Sequence, residues 1–89
     1  FAYVHHNGAM GSLVTVATET SFAAGTAEFK NLGHELALQA VASGTASVEG
    51  LLKGEYVRDP SKIVGELVKE VSGKLGENIQ VLDVKLTRV

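Results

Sequence analysis

Residues 64–88, VGELVKEVSGKLGENIQVLDVKLTR, change their hydrophobic period once and thereby decide the class of fold. The apolar residues of the first half recur at helical spacing: Val64, Leu67, Val68, Val71 and Leu75. Gly76 suits the left-handed residue that ends a helix. Beyond Asn78 the spacing becomes two, because three apolar residues alternate with polar ones: Leu82, Val84 and Leu86. We therefore expect a helix followed by a half-exposed strand, with Pro60 in the first turn of the helix and Asp59 or Ser61 as its cap.

The remaining segments predict two more strands and another long helix. Residues 1–18 predict a hairpin, because Asn7-Gly8 favours a tight two-residue turn and the second arm alternates Val14 and Val16 with their neighbours. The stretch after Thr26, a typical N-cap residue, carries a helical apolar stripe up to the small-residue linker 43–47. VEGLL predicts one helical turn, and EYVRDP an extended piece. The expected fold is one α+β domain over residues 1–89: a three-stranded antiparallel sheet with two main helices on one face, in the order β-β-α-α-β.

Composition excludes several classes of protein. The 89 residues carry a formal net charge of −2, which disfavours nonspecific nucleic-acid binding. The chain has no cysteine and no apolar run long enough to cross a membrane, so neither a thiolate metal site nor a membrane span is expected. Its first residue is Phe1 rather than Met, which suggests a piece of a longer product.

No catalytic or metal-binding pattern stands out. His5 and His6 are adjacent, so on a strand they point to opposite faces, and His34 is distant in sequence. The glycines of GAMGS match neither a Walker loop nor a dinucleotide fingerprint. We therefore expect no enzyme activity, no cofactor and no metal.

Phe22 is the conspicuous residue of the segment TETSFAAG, residues 18–25, because it is a large apolar side chain among small and polar neighbours. From these residues alone two interpretations stay open. It is either a core side chain at a strand-to-helix corner or a surface side chain that meets a partner.

Two segments resemble a known family. YVHHNGAMGSLVTVATETSFAAGTAEFKNL is similar to the pattern YIHHN..VGVLVE.NCETDFVA...EF..L of bacterial elongation factor Ts. YVRDPSKIVGELV and KLGENIQV resemble that family's FVKDPSKTVGELL and KIGENI.V. The resemblance covers nearly the whole chain in the right order and implies the same small α+β core.

The resemblance also implies a function. Family members are guanine nucleotide exchange factors that bind the GDP form of elongation factor Tu and promote GDP release, with the Phe after CET acting as an apolar wedge. The corresponding residue is Phe22. The implied contact residues for elongation factor Tu are His5, His6, Glu19, Ser21, Phe22 and Gln39. The implied compartment is the bacterial cytoplasm or an organellar matrix or stroma.

The chain departs from the family pattern at several positions. Ser21 stands where the family has Asp, Gly25 where it has Arg, and Gln39 where many members have His. By this resemblance, we expect the sequence to start after the family's N-terminal three-helix docking module, with the linker SGTAS in place of a helical excursion between the two segments. An alternative function is therefore an exchange-inactive module that associates with itself as a homodimer.

Overall fold

The computed structural model describes residues 1–5 and 8–88, in which an antiparallel sheet and a small hairpin combine with helices. The elements in chain order are β1 (Ala2–Val4), β2 (Met10–Ala17), α1 (Ser21–Ala24), α2 (Ala27–Ser43), α3 (Val48–Lys53), β3 (Glu55–Tyr56), β4 (Asp59–Ile63), α4 (Val64–Leu75) and β5 (Gln80–Arg88). The predicted α+β class and its order of main elements are confirmed. The short helix α1 and the β3–β4 hairpin are additions to the expected order.

The sheet has the order β1-β2-β5, so β2 is its central strand and both pairings are antiparallel. Alternation in β2 points Ser12 and Val14 towards the helices and leaves Leu13 and Thr15 on the outer face. Ser12 is buried, and its hydroxyl donates to the carbonyl of Ala37 in α2 at 2.6 Å. This bond satisfies a buried polar group and fixes α2 against the sheet.

Leu82 does not face the core as the alternation of β5 had predicted. Thr15 pairs with Asp83 and the next residue, Val16, pairs with Val81, so Leu82 is an extra residue in β5. This bulge interrupts the alternation and leaves Leu82 56% exposed. The apolar pattern of β5 returns to the core side at Val84, which is buried.

The core lies between the sheet and helices α2, α3 and α4. The helix α2 contacts all three strands of the sheet, whereas α4 contacts α2, α3 and β4. The predicted cap of α2 is confirmed, because Thr26 Oγ1 accepts from the amide of Phe29 at 3.2 Å. The buried cluster contains Val14, Phe29, Leu32, Leu36, Ala37, Ala40, Leu51, Val64, Val68, Ile79 and Val84.

The start of α4 differs from the prediction. Pro60 lies in β4 rather than in the helix, and Ile63 is the N-cap, with no side-chain capping bond. Residues 59–63 stay extended because they pair with β3, and α4 begins only where the amide of Val64 bonds to the carbonyl of Gly54 at 2.9 Å. Asp59 accepts hydrogen bonds from Ser61 within β4 and caps nothing.

Both turn-forming glycines that the sequence indicated have positive φ. Gly76 ends α4 with φ 67°, as predicted, and Gly8 has φ 70° in the β1–β2 connection. The predicted turn residue Asn7 lies outside the described residues. Within residues 1–5 and 8–88, no helix has both the length and the apolar character that a bilayer crossing requires.

Candidate partner-binding site

Phe22 projects from α1, a single helical turn that follows β2. Thr20 caps this turn through its hydroxyl, which accepts from the amide of Ala23 at 3.2 Å. Ala23 is buried, while its neighbour Phe22 is 83% exposed and is the most exposed large apolar side chain among the described residues. Of the two interpretations of Phe22, the structure supports the surface one.

Glu77 ties the segment before Phe22 to the end of α4. Its Oε1 accepts from the hydroxyl of Thr18 at 2.9 Å and from the amide of Thr20 at 3.0 Å, and its Oε2 accepts from the hydroxyl of Thr20 at 2.5 Å. A second link runs in the opposite direction, because Glu19 accepts from the amide of Asn78 at 2.5 Å. We call these five residues, Thr18, Glu19, Thr20, Glu77 and Asn78, the carboxylate clamp.

The clamp favours the ionised form of Glu77. Hydrogen bonding from the side chain of Thr20, followed by bonds from Thr18 and from backbone amides, holds the pKa of Glu77 below its ordinary value. Desolvation of the carboxylate acts in the opposite direction and offsets part of this lowering of the pKa. Since these donors stabilise the carboxylate, the clamp keeps its charged form down to a lower pH than an isolated Glu would.

Gln39 takes a structural position that sequence reasoning did not anticipate. It is 1% exposed, its amide nitrogen donates to the carbonyl of Glu55 at 2.9 Å, and its oxygen accepts from the amide of Val57 at 3.0 Å. Both ends of the side chain are therefore bonded to the β3–β4 hairpin. Gln39 has no surface to offer a partner here, so we leave it out of the candidate site.

The candidate residues do not form one patch. Glu19, Ser21 and Phe22 lie together at the Ala17 end of β2, whereas half-buried His5 lies beside Met10 at the opposite end. An eight-residue strand separates the two ends by roughly 23 Å. His6 lies outside the described residues. The candidate site is therefore the α1 turn with Phe22 at its tip and the carboxylate clamp beneath it.

Sequence reasoning missed Glu77, Thr18 and Thr20 as parts of this site. A signal for them does exist in the pairing of the strands, because Ala17 at the end of β2 lies opposite Gln80 at the start of β5. The polar segments just beyond these two residues, TET and GEN, must then approach each other.

A second polar cluster links α2 to the β3–β4 hairpin. Glu35 accepts from the hydroxyl of Tyr56 at 2.5 Å and pairs with the guanidinium of Arg58. Burial, and then the hydrogen bond to Glu35, raises the pKa of Tyr56 to about 12. Together with Gln39 one helical turn later, Glu35 fixes the hairpin on α2.

The donor set for a metal or cofactor is sparse. Among residues 1–5 and 8–88, no three His, Asp or Glu side chains come close enough together to hold a metal ion. The α1 turn and the carboxylate clamp present an exposed aromatic ring, backbone groups and carboxylates, which suit contact with another macromolecule.

Comparison with known proteins identifies the relatives of this chain. A family model described as Elongation factor TS matches residues 19–89. Elongation factor Ts of Clostridium kluyveri (strain ATCC 8527) is 38% identical over 79 residues, which cover 89% of this chain and 26% of the relative. The protein of that name from Nostoc punctiforme is 42% identical over 79 residues, with coverages of 89% and 24%.

A third relative is shorter and is covered further. Elongation factor Ts of Thermoanaerobacter sp. (strain X514) is 32% identical over 125 residues, covering 90% of this chain and 61% of the relative. The chain thus spans about a quarter of the length of the first two relatives. The family model matches most of the chain, and the three relatives are 32–42% identical to about nine-tenths of it. On these grounds the chain belongs to the elongation factor Ts family.

Proposed function

We propose that this chain is the core of a guanine nucleotide exchange factor, which binds the GDP form of elongation factor Tu and promotes GDP release. The observation that carries the proposal is the exposure of Phe22 on a capped and clamped turn, at the position of the family's apolar wedge. A large apolar side chain in such a place is typical of an interface anchor. The proposed compartment is that of the partner, the bacterial cytoplasm or an organellar matrix or stroma.

The mechanism is differential binding. An exchange factor lowers the affinity for a nucleotide only if it binds the nucleotide-free GTPase better than the nucleotide-bound one. The coupling is reciprocal, so bound GDP weakens the exchange factor by the same factor. An aromatic ring on a fixed turn can supply this difference by filling a crevice that opens only when the nucleotide site is distorted. No proton transfer or covalent step is needed, and we propose no enzyme activity.

Several departures from the family pattern weaken the charged part of the proposed contact. Ser21 supplies a hydroxyl where the family has a carboxylate, and Gly25 supplies no charge where it has an arginine. Both residues are exposed beside Phe22. The apolar contact of Phe22 therefore carries most of the proposed interaction.

The test is the release rate of labelled GDP from purified elongation factor Tu, with and without an excess of this chain. We expect faster release, and we expect Phe22→Ala to lose about 2 kcal/mol of interaction, roughly a thirtyfold loss of affinity. Ile63→Ala is the matched control, because it removes another exposed apolar side chain at the start of α4, whereas the clamp beneath α1 lies at the other end of that helix. Unchanged release with a chain whose circular dichroism shows it folded would reject the proposal.

A second function rests on the outer face of the sheet. Val4 and Leu13 are 69% and 51% exposed there, and Leu82 adds a third apolar side chain where β5 bulges. The outer strands β1 and β5 form the two edges of the sheet. Exposed apolar faces and sheet edges favour association. The alternative proposal is therefore a homodimer that forms through this face, with no exchange activity.

A further inference from the structure

The turn that carries Phe22 is too short to hold its own conformation. The helix α1 has four residues, Ser21–Ala24, and a single turn is unstable in water without outside support. Its supports within the chain include the burial of Ala23, the hydroxyl of Thr26, which donates to the carbonyl of Ala23 at 2.7 Å, and the hydroxyl of Thr20, which accepts from the amide of Ala23 at 3.2 Å. Thr20 is the support on the N-terminal side of Phe22, so the start of the turn depends on what fixes Thr20.

Glu77 holds Thr20 at two points. One carboxylate oxygen accepts from the backbone amide of Thr20 at 3.0 Å, and the other accepts from its hydroxyl at 2.5 Å. The same hydroxyl accepts from the amide of Ala23, so its single proton must go to Glu77. A continuous path of hydrogen bonds then runs from Glu77 through Thr20 into the α1 turn.

Glu77 is itself fixed by the end of α4. Its amide donates to the carbonyl of Ser72 at 3.2 Å, and its carbonyl accepts from the hydroxyl of Ser72 at 2.5 Å. Gly76, in the left-handed conformation, ends the helix just before it, and β5 begins three residues later. The carboxylate is thus mounted on a junction between a helix and a strand of the sheet.

We propose that Glu77 is the positioning residue of Phe22: its carboxylate sets the orientation of the α1 turn and keeps the ring projected for a partner. The partner-facing part of this inference rests on the proposed function, while the positioning itself does not. When a partner contacts Phe22, the bonds from Thr20 to Glu77 would resist displacement of the ring, because Glu77 is fixed between α4 and β5.

The first arm of the experiment needs no partner. In Glu77→Gln one oxygen becomes an NH₂ group, so one of the two donors of Thr20 loses its acceptor. Hydrogen exchange measured by NMR should then show the amides of Thr20 and Ala23 exchanging roughly tenfold faster, with core amides such as that of Leu36 unchanged. Glu66→Gln is the matched control, because Glu66 is exposed in the first turn of α4. Unchanged exchange at Thr20 and Ala23 would overturn the inference.

Substitutions of Thr20 separate the hydroxyl from the rest of the side chain. Thr20→Ser keeps the oxygen that joins Glu77 to Ala23 and should behave as the wild type. Thr20→Val keeps the shape, loses that oxygen and should exchange at Ala23 at least as fast as Glu77→Gln. Equal rates of hydrogen exchange at Ala23 in the two Thr20 variants would show that the Thr20 hydroxyl does not connect Glu77 to the α1 turn.

The second arm is a double-mutant cycle on binding to elongation factor Tu. Glu77→Gln should weaken binding by roughly three- to tenfold in the wild-type background and should have no effect in the Phe22→Ala background, because Glu77 acts only through the ring. Equal effects in both backgrounds would show that Glu77 does not act through Phe22. If the wild type does not bind elongation factor Tu at all, the proposed function fails. The hydrogen-exchange measurements then decide alone whether Glu77 positions the α1 turn.

Discussion

At the scale of single residues, Glu35 and Gln39 show how polar side chains position a whole hairpin. They lie one turn apart on α2 and bind four successive residues of β3 and the β3–β4 connection. Gln39 bonds to Glu55 and Val57, and Glu35 bonds to Tyr56 and Arg58. Buried polar groups stabilise a fold only when they are satisfied, and both side chains are. These hydrogen bonds and the ion pair therefore fix the hairpin on α2, while Tyr56 also packs against the core.

Tyr56 makes this attachment sensitive to alkaline pH, which weakens it. Its pKa is raised from 10.0 to about 12 by burial and by Glu35, so the folded chain keeps a proton that the unfolded chain loses above pH 10. The contribution to stability is complete below pH 10 and is lost as the pH rises towards about 12. We expect the free energy of unfolding, measured with urea, to fall across that window. Its slope against pH should correspond to a difference of at most one bound proton between the folded and the unfolded chain.

The variant Tyr56→Phe should flatten this fall, because it removes the titrating hydroxyl. Tyr3→Phe is the matched control, since it leaves Tyr56 and Glu35 in place and should retain the part of the slope that they cause. A slope that survives in Tyr56→Phe would show that the loss of stability has another source.

The sequence carried different amounts of information about different residues. Phe22 stood out because an isolated aromatic breaks a polar segment, and the structure places it on the surface. Gln39 was expected at a surface because the family resemblance aligned it with a partner contact. Its bonds to Glu55 and Val57 join residues 16 and 18 positions apart, and no local pattern encodes such a pairing.

At the scale of elements, helix ends that depend on glycine were predictable and the start of α4 was not. The end of α4 at Gly76 was predicted correctly, because the tolerance of positive φ is a property of glycine itself. The start of α4 depends on tertiary context, since the β3–β4 pairing keeps Pro60 in an extended segment. The bulge at Leu82 has the same origin, because it is a property of the pairing with β2.

Two glycines of the same region should respond to alanine with opposite signs. Gly76 has φ 67°, where a Cβ costs about 1 kcal/mol or more, so Gly76→Ala should destabilise the chain. Gly73 lies within α4, with open space around the position of a Cβ, so Gly73→Ala should stabilise it by about 0.5–1 kcal/mol. Urea unfolding of both variants checks this, and a stabilising Gly76→Ala would contradict the left-handed cap.

At the scale of the whole molecule, strand pairing brings together what the sequence keeps apart. Helical and strand periods sufficed to predict the α+β class and the three strands. The carboxylate clamp needed the register of β2 against β5, which sets Ala17 opposite Gln80 and so joins segments 59 residues apart. The patterns within single segments therefore predicted the fold but could not predict the carboxylate clamp, which joins two segments.

At this scale, the outer face of the sheet tests the second proposed function, self-association. If it binds a second copy, the wild type should sediment as a dimer at high micromolar concentration. Leu13→Glu should then raise the dissociation constant by about tenfold or more, because a charge would be buried in the interface. The fold should tolerate this change, since Leu13 is exposed and its cross-strand neighbour is Lys85, which suits a carboxylate.

Ile63→Glu is the control for this prediction, because Ile63 is also exposed and apolar but lies at the start of α4, away from the sheet. A dimer that Leu13→Glu dissociates and Ile63→Glu leaves intact would assign self-association to the sheet face. Wild-type chain that stays monomeric throughout the range would reject the homodimer. The α1 turn and the outer face of the sheet involve different residues, so GDP release measured on the same Leu13→Glu chain shows whether exchange depends on dimer formation.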